Sequence, residues 1–261
     1  MNSNSTHQMG RLHLVSAGIG DSDNLTLKAV HVIQEADVVI AMQFVQRQTE
    51  SYYKECVQVF DAGHGLFTEL SRRGNADVAK IEAQENKIRD VIHQSVQCGL
   101  NVAVIEFGDP TLYGPQVGYL KEFSELKPII VPGISSFNAA NAMLRQSLLN
   151  SQSQTLMLSS VSAIQQYKVN PPSVLVLFTM KMEIEKMVEA LLELYVPETQ
   201  VALAFNAGFT TKQQTIYVKL RDLVEESNKI DIPWECLVYV GNIKEMSDDE
   251  GNTFTDTSTH Q

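Results

Sequence analysis

Apolar and polar positions along this 261-residue chain alternate between two rhythms. Short apolar runs of strand length, "LHLVSAG", "ADVVIAM", "VQVF" and "NVAVIEF", are separated by stretches whose apolar residues recur at helical spacing. Between the first two runs, Leu25, Ala29, Val32, Ile33 and Ala36 share one helical face. Between the last two, a glycine-bearing loop through residue 75 leads into a long helical pattern carrying Ile81, Ile88, Val91, Ile92 and Val96, with Gly99 placed as its C-cap. "NVAVIEF" reads as a buried strand and runs straight into "GDPTLYGP". Strands that alternate with helices predict a mostly parallel sheet covered on both faces.

The pattern changes after about residue 125. "KPIIVPG" leads into a small-residue helix, "SSFNAANAMLRQS", and then into the polar stretch "NSQSQ". "SVLVLF", the helix "KMEIEKMVEALLELY" and strands at "QVALAFN", "QTIYVKL" and "ECLVYVG" follow, with closer spacing that predicts a mixed sheet. The expected organisation is two α/β domains, 9–125 and 126–246, between flexible tails at 1–8 and 247–261; the second tail has almost no apolar content.

The turn "SAGIGDSDNLTLKAV" places Gly18 and Gly20 between a strand and a helix, where a phosphate cradle is often found. A dinucleotide site would want a third glycine where Asp23 stands. Asp21 and Asp23 would repel a pyrophosphate and would cap the helix instead. No Gly-Lys-Ser/Thr follows, so a P-loop is excluded as well. On the residues alone, this is a tight structural turn before a helix.

Composition narrows the classes further. A chain 44% hydrophobic and 20% charged belongs with ordinary globular proteins, and no apolar run reaches bilayer length, so no membrane is expected. "MNSNSTHQ" lacks the basic start and apolar centre of a secretory signal. Cys56, Cys98 and Cys236 are scattered and odd in number, which argues against a disulfide framework or a Cys-rich metal site and for reduced thiols in the cytoplasm. The net charge of −11, with Arg72-Arg73 as the one adjacent basic pair, excludes a nucleic-acid partner.

Several motifs in order carry a resemblance. "SAGIGDSDNLTLKAVHVIQEADVVI", "VAVIEFGDPTLYG" and "IIVPGISSFNAANA" resemble the opening segment, the G-D-P-x-x-Y/F-G loop and the V-P-G-x-S/T-S segment of the tetrapyrrole methylases. "VLVLFTM" and "VALAFNAG" are weaker matches to two later strands of that family. Together they span Arg11 to about Ile243. The resemblance implies two α/β domains with a cofactor cleft between them, a homodimer, and methyl transfer from S-adenosylmethionine to a porphyrin or corrin precursor. Such a transfer is an in-line displacement needing alignment and exclusion of water, with no metal. The cofactor has no phosphates and carries a positive sulfonium, so an acidic turn is no handicap.

Carried over by motif, the cofactor residues are Ile19 (in place of the usual proline), Phe107, Gly108, Asp109, Leu112, Ser135, Ser136, either Thr179 or Met180, and Ala207. Some have a plainer explanation: Asp109-Pro110 suits a helix N-cap, and Ser135-Ser136 precedes a helix. Tyr113 is a candidate catalytic residue or a half-buried aromatic at a domain edge. His64, between two glycines, is a candidate base or a loop histidine. Arg72 and Arg73 could grip substrate carboxylates or simply be solvated.

The resemblance has gaps. Met42 stands where uroporphyrinogen methylases carry an Asp, and His64 stands near a position they fill with lysine. This points away from uroporphyrinogen and toward a precorrin or corrin-type substrate. The alternatives are a peptide backbone N-methyltransferase of the same fold, and a ligand-binding regulator without turnover.

Overall fold

Residues 8–69, 71–72, 77–164, 166, 170–179 and 183–245 are described by a computed structural model of the chain. Its contacts divide the chain into two compact units at the Ser136–Phe137 boundary. The tails expected at 1–8 and 247–261 lie outside the described residues, apart from Gln8.

The first unit is built on a five-stranded, wholly parallel sheet. Its strands are β1 (Leu12–Ser16), β2 (Val38–Ala41), β3 (Gln58–Asp61), β4 (Val102–Glu106) and β5 (Ile129–Val131), in the order β3-β2-β4-β1-β5. Helices α1 (Leu27–Glu35), α2 (Gln43–Thr49), α3 (Val78–Gln97) and α4 (Gly118–Glu122) lie in the connections. Successive strand residues point to opposite faces, and both faces are covered. Leu12 and Leu14 pack with Ile88, Ile92 and Val96 of α3 and with Tyr119 and Phe123. Val15 packs the other way, with Ala29 and Ile33 of α1 and Val45 of α2.

This arrangement places a switch point between β1 and β4. The chain leaves β1 through α1 on one face, while it leaves the adjacent β4 toward α4 on the other. A crevice opens outside the carboxyl ends of two such strands, and ligands of parallel α/β sheets bind there.

Local signals account for most of the helix ends. Asp77 caps α3 by accepting the Lys80 N–H at 3.2 Å, and Gly99 follows the helix with φ +82°, as expected. The cap of α1 differs from expectation. Thr26 Oγ1 accepts the Ala29 N–H at 3.1 Å, while Asp21 and Asp23 sit around a short 3-10 turn, Ser22–Asn24. The hydroxyl stands one residue before the helix and reaches its third N–H, which the two aspartates are too far upstream to do. Helix α2 was not expected, because "QFVQRQT" buries only Val45 and Thr49. It is tied down by Gln46 Nε2, which donates to the carbonyls of Ala41 at 2.7 Å and Phe60 at 3.1 Å.

The second unit contains a mixed sheet, as its strand spacing predicts. The strands β6 (Leu156–Ser160), β7 (Val174–Phe178), β8 (Gln200–Phe205), β9 (Gln214–Lys219) and β10 (Cys236–Gly241) lie in the order β6-β7-β10-β8-β9. Only β6 and β7 pair in parallel. Strand β6 was not expected, since "LMLSS" loses its apolar character halfway. Helices α5 (Ser136–Leu144), α6 (Val161–Ile164), α7 (Ile184–Leu192) and α8 (Leu223–Ser227) complete the chain order. Met187 and Leu191 of α7 pack on Leu175, Leu203 and Val238 from three strands. Strand β5 pairs with β1, which carries the first unit past the 125/126 division drawn from composition.

Candidate functional site

The switch point is closed by backbone contacts that demand small residues. Gly18 and Gly108 form an isolated antiparallel bridge, with the Gly108 N–H donating to Gly18 O at 2.7 Å. Ser16 Oγ donates to Gly108 O at 2.6 Å and accepts the Gly18 N–H at 3.0 Å. Gly18 has φ +70°, and a Cβ there would lie 2.3 Å from Asn24 O. Gly133, beyond β5, comes as close: a Cβ on it would lie 2.2 Å from Ser16 Oγ. Gly108 differs. Its φ is +89°, yet a Cβ would meet only Ile19 Cδ1, at 3.8 Å. The backbone here is bent into a conformation that favours glycine while space remains beside it.

Such a junction suits S-adenosylmethionine on chemical grounds. Both of its amides are already donated, but the carbonyls of Gly18 and Gly108 each keep a second lone pair. These acceptors, with Asp109 and the acidic turn next to them in sequence, match a cationic ligand without phosphate. Among the described residues no group of three or more His, Cys, Asp or Glu is placed to hold a metal ion.

The loop after β4 begins at Glu106, a residue the sequence reading passed over. Its side chain is fully buried, with Oε1 accepting the Phe107 N–H at 2.8 Å and Oε2 the Gln116 N–H at 2.6 Å. Burial pushes its carboxyl up to about 8, against the partial relief these two N–H groups provide. The available signal was a lone acidic residue inside the apolar run "NVAVIEF". Phe107 meets the edge of Phe44 with ring centroids 5.0 Å apart. Asp109 Oδ1 accepts from the Thr111 N–H at 2.7 Å and its hydroxyl at 2.6 Å. Asp109-Pro110 therefore forms a side-chain-capped turn, with Leu112 N–H donating to Asp109 O at 3.2 Å, instead of opening a helix directly. Tyr113 is 47% exposed and left-handed, with φ +56°, an uncommon state for an aromatic residue.

The other expected residues divide between the two units. Ile19 is buried beside Gly108. Ser135 is buried just before α5, and Ser136 is its first residue. His64 is exposed in the turn after β3, between Gly63 at φ +62° and Gly65 at φ +70°. Arg72 turns its guanidinium onto the protein: Nη1 and Nη2 meet Glu85 Oε1 and Oε2 at 3.0 and 2.7 Å. Arg73 lies outside the described residues. In the second unit, Thr179 Oγ1 donates to Cys236 O at 2.5 Å and Asn206 N–H donates to Glu235 O at 2.8 Å. Thr179 and Ala207 thus follow the ends of β7 and β8 on either side of the start of β10. Met180 lies outside the described residues.

Residues 11–224 match the profile of the tetrapyrrole (corrin/porphyrin) methylases. The chain belongs to that family. It is 28% identical to a cobalt-precorrin-4 C(11)-methyltransferase of Methanocaldococcus jannaschii over 88% of this chain and 86% of that protein. It is 24% identical to the uroporphyrinogen-III C-methyltransferase of the same organism over 92% and 99% of the two chains. The fold matches a uroporphyrin-III C-methyltransferase of Thermus thermophilus, crystallised with S-adenosylhomocysteine, at a TM-score of 0.65, 20% identity and 89% and 98% coverage.

Proposed function

We propose that this chain transfers a methyl group from S-adenosylmethionine to a tetrapyrrole of the precorrin class. The observation that carries the reading is the Gly18–Gly108 junction at the switch point, open beside Gly108, in a member of the tetrapyrrole methylase family. Ile19, Phe107, Gly108, Asp109, Leu112, Ser135 and Ser136 are the proposed cofactor residues of the first unit, and Thr179, Met180 and Ala207 those of the second. His64 and Tyr113 are the proposed groups for handling a proton at the methyl acceptor. The precorrin assignment is supported by Met42 in place of an acidic residue and by the precorrin-4 relative.

No helix among the described residues is long and apolar enough to cross a membrane. A cytoplasmic setting and a homodimer complete the proposal, and sedimentation of the purified chain tests the latter. The cofactor is tested by calorimetric titration with S-adenosylmethionine and S-adenosylhomocysteine, alongside Gly108→Arg. Saturable binding that the variant loses supports the reading. A folded protein that binds neither ligand overturns it.

A further inference from the structure

Glu106 commits both carboxyl oxygens to one loop. It holds the first N–H of the loop, at Phe107, and the N–H that closes it, at Gln116. Gly114 packs so near that a Cβ on it would lie 2.8 Å from Glu106 Oε2. The loop is thus pulled in at both ends by a single buried group.

Gln116 then reaches out of the loop. Its Nε2 donates to Gly63 O at 3.0 Å, and Tyr119 Oη donates to Ala62 O at 3.1 Å. These carbonyls belong to the two residues immediately before His64. Gln116 is fully buried, and its Oε1 has no partner among the described residues. An apolar side chain would avoid that cost, so the amide is accounted for by its hold on Gly63.

We propose that Glu106 is a positioning residue that fixes the 107–109 backbone and the His64 turn together, acting on the turn through Gln116. What those two segments do rests on the methyltransferase reading above; the coupling between them does not. Glutamine at 106 keeps the shape but turns an amide NH2 toward one of the two backbone N–H groups. Both oxygens of the carboxyl can accept an N–H whether or not it holds a proton, but the NH2 cannot, so two donors face each other and one end of the clamp opens.

The test is amide hydrogen exchange on the full-length protein, wild type against Glu106→Gln and Gln116→Leu, with S-adenosylhomocysteine affinity measured on the same samples. In Glu106→Gln, exchange over residues 62–66 and 107–109 should quicken by about tenfold, and the ligand should bind about tenfold more weakly, as the loss of one buried hydrogen bond implies. In Gln116→Leu, whose backbone N–H still reaches Glu106, only residues 62–66 should quicken. Wild-type exchange over 62–66 in Glu106→Gln overturns the proposal, and so does a uniform loosening of the whole first sheet. If Glu106→Gln does not fold, Gln116→Leu decides alone: unchanged exchange over 62–66 overturns the coupling. Failure of the wild type to bind S-adenosylhomocysteine would sink the methyltransferase reading, while the exchange data would still judge the coupling.

Discussion

The hydroxyl of Ser16 reaches Gly108, 92 positions along the chain, donating to its carbonyl at 2.6 Å while accepting the N–H of Gly18. One buried side chain thereby serves a backbone group on each side of the β1–β4 junction. Ser16→Ala leaves both groups buried without that partner. The expected cost is about 1–3 kcal/mol of stability, with weaker binding of S-adenosylhomocysteine. Urea unfolding with an unchanged m-value, together with calorimetry, measures both. A variant as stable as wild type would show that water or a neighbour replaces the hydroxyl.

Gly108 separates conformational strain from crowding. An alanine methyl has room, since Ile19 Cδ1 is 3.8 Å away, but the backbone at φ +89° is unfavourable for any L side chain. Gly108→Ala should therefore lose about 1–2 kcal/mol from backbone strain alone. If stability is unchanged, the loop has shifted to a negative φ, and amide exchange over 107–116 would show the shift.

Much of this architecture was legible in the chain because burial on both faces leaves continuous apolar runs. β1, β2, β4 and β7 all announce themselves in that way. Strand β6 and helix α2 do not, because each depends on partners distant in sequence: β6 on its pairing with β7, α2 on Gln46 bonding to Ala41 and Phe60. The motif glycines at 18, 108 and 133 were legible as special positions, since Gly18 and Gly133 sit where a Cβ would collide and Gly108 bends to φ +89°. They could not reveal Glu106 as the group that holds the loop. Neither could they show Arg72 paired with Glu85, since a pairing across thirteen residues is a property of the folded loop.

That ion pair yields a prediction opposed to a purely substrate-binding arginine. Glu85 is buried, which works to raise its carboxyl, but the Arg72 hydrogen bond and then the Phe67 N–H outweigh this and hold it below the usual carboxylate range. A carboxyl held low in the native state adds stability at neutral pH that is lost as acid protonates it. Arg72→Gln should lower the thermal midpoint at pH 7, and the gap should narrow below about pH 4. An arginine that only contacts substrate would leave the midpoint alone and raise KM.

Glu106 should show the opposite pH dependence. Its carboxyl is raised from the ordinary 4.5 to about 8, chiefly by burial, with the Gln116 and Phe107 N–H groups working the other way. Between those values the native protein holds a proton that the unfolded chain has released. Its contribution to stability is therefore complete below about pH 4.5 and declines as the pH rises toward 8. Tyr119, a titratable neighbour with which Glu106 interacts, is itself raised by burial and stays neutral throughout this range. Glu106→Gln replaces the acid with a group that cannot ionise, so titrations remote from Glu106 cancel in the difference between the two proteins. Thermal midpoints taken at intervals from pH 5 to 9 should show the wild type losing ground steadily to the variant up to about pH 8, then holding level. Parallel curves would mean that the buried carboxyl does not take up a proton on folding, and that its two backbone N–H partners suffice to keep it ionised.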